Sequence, residues 1–146
     1  MRPPKSVLVV DTALLIAAAL GRNAGAVATA ARSRDLVVTE RSMAEARRRI
    51  DRGLRMPHVL SILTEIAQDM TVVQARDIMS ATTRAQVALK DAVASQNGST
   101  NDAHILACAW TVDADIWSFD RDFAGTGVAS WSTANLMQAL AEEAAA

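Results

Sequence analysis

Ser6-Val7-Leu8-Val9-Val10-Asp11-Thr12 is the stretch on which the fold turns. Four consecutive apolar residues, three of them β-branched, follow Pro3-Pro4 and end at a carboxylate. That pattern fits a strand covered on both faces, as in the interior of a parallel sheet. Open parallel sheets collect their sites outside the carboxyl ends of the strands, which is where Asp11 stands. The same region, with Arg2 and Lys5 ahead of an apolar run to Leu20, has the outline of a secretory signal. Asp11 in the middle of the run argues against that reading, because a charge is disfavoured in an inserting segment. No stretch has the length of a membrane span.

Outward from this strand, helices are expected over 12–20 and 24–32, and a second buried strand over 35–39 around Leu36-Val37-Val38. A helix follows from 42 to about 52, with Gly53 as its stop, and Pro57 suits the first turn of a helix running to about 70. A third strand is expected over 71–73, then a long helix from 77 to about 95 closed by Gln96-Asn97-Gly98. Helix 100–112, a strand over 115–119, a fifth strand over 128–131 and a helix from Ser132 complete the order. Strands alternating with helical stretches imply parallel βαβ units. The expected fold is α/β, a three-layer α/β/α arrangement with a central parallel sheet of four to five strands, in one domain over 1–146.

Composition agrees. A chain of 146 residues buries roughly 70% of its unfolded surface and can hold a core without staples. Apolar residues make up 51% and charged residues 21%, which excludes intrinsic disorder. Cys108 is the only cysteine and has no internal disulfide partner, pointing to a reducing compartment and a cytoplasmic location. His58 and His104 are too far apart in sequence to suggest a zinc module, and together with Cys108 they read as packing or surface residues. Net charge is −1, but residues 41–55 hold six arginines against Glu45 and Asp51, while residues 101–122 hold five aspartates against Arg121. A basic stretch beside an acidic one suits an anionic substrate held next to a metal.

Four acids fall where chemistry is expected. Asp11 follows the first strand; Asp120 follows the fourth, with Asp122 two residues later. Asp102 opens a helix whose apolar stripe is Ile105, Ala109 and Val112, which puts its carboxylate on the buried face. Glu45 lies opposite Ile50 and Leu54 on a helical wheel, with Arg41, Arg48, Arg49 and Arg52 within about 60° of it. Carboxylates without thiolate or imidazole partners suit Mg²⁺ or Mn²⁺, and the arginines could grip phosphates bidentately. Local explanations compete. Ser42-x-x-Glu45 and Ser99-x-x-Asp102 have the form of capping boxes, Glu45 and Arg49 could be a simple i,i+4 pair, and Asp120 and Asp122 could be turn formers. Asp35, Asp51, Asp77, Asp91, Asp113 and Asp115 read as surface, cap or turn residues.

Val-Leu-Val-Val-Asp11-Thr12, Ser42-x-x-Glu45, Asn101-Asp102-Ala103-His104-Ile105-Leu106-Ala107 and Ser118-Phe119-Asp120-Arg121-Asp122-Phe123 together resemble the PIN domain family. More narrowly, the chain resembles the VapC-type ribonuclease toxins of prokaryotic toxin–antitoxin pairs. The resemblance implies that Asp11, Glu45, Asp102 and Asp120 are the catalytic acids of a metal site holding Mg²⁺ or Mn²⁺. It makes Asp122 an auxiliary ligand or water-positioning group, with Thr12 and Ser118 as supporting hydroxyls. It further implies hydrolysis of an RNA phosphodiester, a homodimer, a small antitoxin protein as partner, and no membrane association. Arg41, Arg48, Arg49 and Arg52 would then contact RNA. Of the large aromatics considered for base stacking, Trp110, Trp117 and Trp131, two lie in core elements, so backbone recognition is the better expectation. A catalytically inactive PIN-fold RNA- or protein-binding module is the alternative. Receiver domains and haloacid-dehalogenase-type phosphatases share the topology, but this chain lacks their paired acids after the first strand and a lysine at a strand end.

Overall fold

The computed structural model describes residues 2–96, 102–119, 123 and 126–146, the side chains of 91–96 apart. Five strands form one sheet in the order β3-β2-β1-β4-β5, all parallel. They are β1 (Val7–Val10), β2 (Asp35–Thr39), β3 (Thr71–Val73), β4 (Asp115–Trp117) and β5 (Ser130–Trp131). The helices are α1 (Thr12–Ala19), α2 (Ala24–Ala31), α3 (Glu40–Arg48), α4 (Leu60–Ala67), α5 (Ala75–Gln96), α6 (Ala103–Val112) and α7 (Thr133–Ala145). The expected turn at Gln96-Asn97-Gly98 falls on residues of which 97 and 98 lie outside the described ones.

Period-two alternation along the central strands divides the apolar residues between two layers. Leu8, Val10, Leu36, Val38 and Trp117 join side chains of α1, α2, α3, α4 and α7, such as Leu14, Leu15, Met43, Leu63 and Leu136. Val9, Val37 and Ile116 point the other way, onto α5 and α6, where they meet Ile78, Leu89, Ile105 and Leu106. Each fully buried Leu or Ile contributes roughly 2 kcal/mol, so the sheet is held from both sides. This is the three-layer α/β/α fold with a five-stranded parallel sheet. No single helix among the described residues is long and apolar enough to cross a membrane.

Three local features depart from expectation. The helix placed at 42–52 begins at Glu40, because Thr39 caps it: the Ser42 N–H donates to Thr39 Oγ1 at 3.0 Å. Its last part is a π-turn over Arg49–Gly53, with the Leu54 N–H donating to the Arg49 carbonyl at 2.7 Å. Ile50 in this turn is buried, while Leu54, placed with it on the regular wheel, is the residue that follows the turn and is 48% exposed. Finally, α6 is buried nearly all round from Ala103 to Ala109 rather than along one stripe.

Asp115 is not the surface, cap or turn residue expected. It is fully buried at the start of β4 and accepts two hydrogen bonds from the Arg2 guanidinium, at 2.7 and 2.9 Å. The Lys5 N–H at 3.0 Å and the Trp131 indole Nε1–H at 2.9 Å complete its shell. Sequence distance hides this group, since Arg2 and Lys5 lie more than a hundred residues away and Trp131 sits on the next strand. Burial pushes the Asp115 carboxyl up, but the Arg2, Lys5 and Trp131 donors outweigh it and hold it below the ordinary carboxylate range. The stabilisation is therefore complete above the unfolded value of about 3.9 and is lost as pH falls through the lower folded value. Asp115→Asn is expected to cost about 2 kcal/mol at neutral pH, because buried donors lose a charged acceptor. Urea unfolding from pH 7 to 3 checks this: the gap between wild type and variant narrows below about pH 4, and a gap independent of pH refutes it.

Candidate active site

The strand order reverses beside β1. The chain steps outward through β2 and β3, then crosses back to place β4 on the other side of β1. The crevice between the carboxyl ends of β1 and β4 is thus the switch point at which such sheets bind ligands. Asp11 and Ser118 stand on its two sides. The Asp11 N–H donates to the Trp117 carbonyl and the Ser118 N–H to the Trp131 carbonyl, each at 3.0 Å, so both residues continue the sheet ladder.

Asp11 is 5% exposed. Ser118 Oγ donates to its Oδ2 at 2.6 Å and the Thr12 N–H donates to its Oδ1 at 2.7 Å. The second contact makes Asp11 the N-cap of α1, where the positive end of the helix favours a carboxylate. Thr12 and Ser118 thus lie against the acid they were expected to support. Thr12 Oγ1 also meets Ser42 Oγ at 2.8 Å, and both residues are buried.

The remaining acids are placed unequally. Glu45 lies on α3 with its side chain 23% exposed and ion-paired to Arg49 at 2.8 Å. The i,i+4 pair is realised, whereas the Ser42–Glu45 capping box is not, because Thr39 is the cap and Ser42 turns its hydroxyl to Thr12. Asp102 is half-buried at the N-cap of α6, where its side chain accepts no capping hydrogen bond. Asp120 and Asp122, like most of the Ser99–Asp102 capping box, lie outside the described residues. Among the described residues no three His, Cys, Asp or Glu side chains gather where they could share one ion. Arg41, Arg48, Arg49 and Arg52 are exposed. Arg47, Arg48 and Arg52 line a surface cleft with Asp51 and Leu60.

Two expectations about aromatic and sulfur groups hold. Trp117 and Trp131 are buried, and Cys108 is fully buried among apolar side chains, which pushes its thiol up to about 12. Trp110 carries the Arg84 guanidinium over its ring at 5.6 Å. Phe119, not weighed as a stacking surface, is 50% exposed directly after Ser118.

The residues missed by sequence reasoning are hydroxyls and an imidazole. Thr39 Oγ1, at the end of β2, lies 2.8 Å from His104 Nδ1, and both residues are buried. One signal was present: Thr12, Thr39 and Ser118 each stand at or just beyond a strand's carboxyl end. Burial lowers the His104 imidazole to about 4, with the Arg41 charge adding to the effect. Below the unfolded value of about 6.5, the unfolded chain takes up a proton that the folded chain refuses. Stability therefore falls as pH drops from about 6.5 to about 4, by on the order of 3 kcal/mol. Urea unfolding across this range is expected to show the decline in wild type and a flatter profile in His104→Asn; equal slopes refute it.

Comparison with known proteins adds to this geometry. A PIN domain family model matches residues 9–141, from β1 into α7. No curated protein matches the chain. A chain in the VapBC2 complex of Rickettsia felis, bound to a promoter DNA fragment, is similar with a TM-score of 0.69 at 11% identity, covering 86% of this chain and 98% of that one. A toxin–antitoxin complex from Klebsiella pneumoniae gives 0.57 at 16% identity, over 86% and 97% of the respective chains. PAE2754 from Pyrobaculum aerophilum gives 0.60 at 15% identity, over 100% and 95%. At such identities the structural likeness speaks for the fold. The family match takes in the carboxyl end of β1, all of β4 and every candidate acid, and the chain belongs to the PIN domain family.

Proposed function

We propose that the chain is a metal-dependent endoribonuclease and the toxin of a type II toxin–antitoxin pair. The observation that carries the reading is Asp11, buried at the switch point of the sheet with one carboxylate oxygen held by Ser118 and the other by the Thr12 amide. Asp11, Asp102 and Asp120, with Asp122, are assigned as ligands of Mg²⁺ or Mn²⁺, and Glu45 as the fourth catalytic acid. The donor chemistry fits a hard dication: the assigned groups are carboxylates, and the nearby imidazole is engaged by Thr39 through Nδ1. When bound, such an ion supplies Lewis acidity at the scissile phosphate.

The chain's own residues would do the rest. Ser118 and the Thr12 amide hold Asp11 in one orientation at the positive end of α1. Arg41, Arg48, Arg49 and Arg52 would bind the RNA backbone through bidentate contacts to phosphate. Arg49 would exchange its Glu45 partner for a phosphate oxygen on binding. Toxin–antitoxin complexes among similar folds support an antitoxin protein as partner; a homodimer and a cytoplasmic location complete the proposal. The second reading, an inactive RNA- or protein-binding module, draws support from the Glu45–Arg49 ion pair, which already engages one of the acids.

Two experiments separate these readings. Mn²⁺ at about a hundred times its Kd is expected to stabilise wild type by roughly 2.7 kcal/mol and to leave Asp11→Asn unmoved in a thermal melt. Labelled RNA is expected to be cut by wild type and left intact by Asp11→Asn and Asp102→Asn; metal binding without cleavage supports the inactive module, and no Mn²⁺ response in wild type refutes the metal site. Replacing Arg48 and Arg49 by Ala is expected to weaken binding of single-stranded RNA and to flatten its salt slope by about 1.4. Unchanged binding across salt concentrations shows that this basic face carries no RNA.

A further inference from the structure

Three helices each carry or follow one candidate acid: α1 is capped by Asp11, α3 bears Glu45 and α6 begins after Asp102. One contiguous path of buried polar groups joins them. His104 Nδ1 of α6 meets Thr39 Oγ1 at 2.8 Å, and Thr39 Oγ1 accepts from the Ser42 N–H of α3 at 3.0 Å. Ser42 Oγ meets Thr12 Oγ1 of α1 at 2.8 Å, and the Thr12 N–H donates to Asp11 Oδ1 at 2.7 Å. His104, Thr39, Ser42, Thr12 and Asp11 are all at most 6% exposed.

His104 is the anomaly in this path. Buried residues run without a break from Ala103 to Ala109 on α6, and the others are Ala, Ile, Leu and Cys. An aliphatic side chain would fill the same space without the desolvation cost of an imidazole. Carboxylates brought towards one another repel, so their spacing needs support from neighbouring groups that do not move. His104 lies two residues beyond Asp102, and Thr39 caps the helix that carries Glu45. The contact between them therefore fixes α6 relative to α3 beside the acids.

We propose that His104 is a positioning residue of the metal centre, acting through Thr39 and Ser42 to hold the acid-bearing helices α6, α3 and α1 in register. The assignment rests on the metal-dependent reading above. The imidazole touches neither ion nor substrate; it sets where the ligands stand, and its loss loosens the ion rather than the RNA.

The test is calorimetric titration of the full chain with Mn²⁺, well below the melting transition, for wild type, His104→Leu and His104→Asn. His104→Leu keeps the volume and breaks the contact, and is expected to weaken Mn²⁺ about tenfold. His104→Asn returns an amide near the Nδ1 position and is expected to restore most of the affinity. Against RNA, His104→Leu lowers kcat and leaves KM unchanged, because the arginine face is untouched. Ser42→Ala breaks the same path at its next link, removes little volume and is expected to give the same Mn²⁺ loss, so the test survives if His104→Leu does not fold. Mn²⁺ affinity equal to wild type in His104→Leu or, where that variant does not fold, in Ser42→Ala overturns the proposal and makes His104 a packing residue. No Mn²⁺ binding by wild type overturns the metal-dependent reading first, and this assignment with it.

Discussion

The backbone hydrogen bond from Asp11 to Trp117 is the constraint on which the candidate site depends. It extends the β1–β4 ladder one residue past β1 and fixes where the Asp11 carboxylate begins. Because the ladder fixes the backbone, the side chain needs only short-range partners, which Ser118 and the Thr12 amide provide. Strand pairing is supported on both faces by packed helices, so the position of this candidate acid draws on the stability of the entire sheet. A site built on strand ends is correspondingly more rigid than one carried on loops.

Much of this was legible in the sequence, and for definite reasons. β1 and β2 announce themselves as short apolar runs, because parallel strands covered on both faces need nothing else, whereas β3 is a three-residue edge strand. Asp11 is legible because a charge directly after such a run must lie at the strand's end. What escaped reading depends on contacts between distant residues. Asp115 resembles any acid at a helix–strand junction until Arg2, Lys5 and Trp131 are seen around it. His104 looks like packing until Thr39 is opposite it. Ser42 has the spacing of a capping residue, but Thr39 occupies that role and frees the Ser42 hydroxyl for Thr12. Leu54 shares Ile50's side of a helical wheel, but the helix has ended by that position and leaves it exposed.

The charged groups divide into two ends of the sheet. At the amino end of β4, Arg2 and Asp115 form an ion pair whose acid is buried and whose base is half-exposed, an arrangement that orders the residues before β1. At the carboxyl ends, the Ser118 hydroxyl and the Thr12 amide hold Asp11. The first arrangement neutralises its carboxylate permanently. The second orients its carboxylate through a hydroxyl and an amide, the way supporting groups hold an acid that serves as a ligand.

The contact between Asp11 and Ser118 spans 107 positions of the chain. Its two halves therefore leave the ribosome at very different times, with β2, β3, β4 and helices α1 to α6 made in between. A nascent chain carries Asp11 early but cannot complete its pocket until β4 has emerged and docked beside β1. Such long-range pairing forms late, after more local structure. Whatever this centre does, it exists only once β4 has docked, and a chain broken off before that strand carries Asp11 without its Ser118 partner.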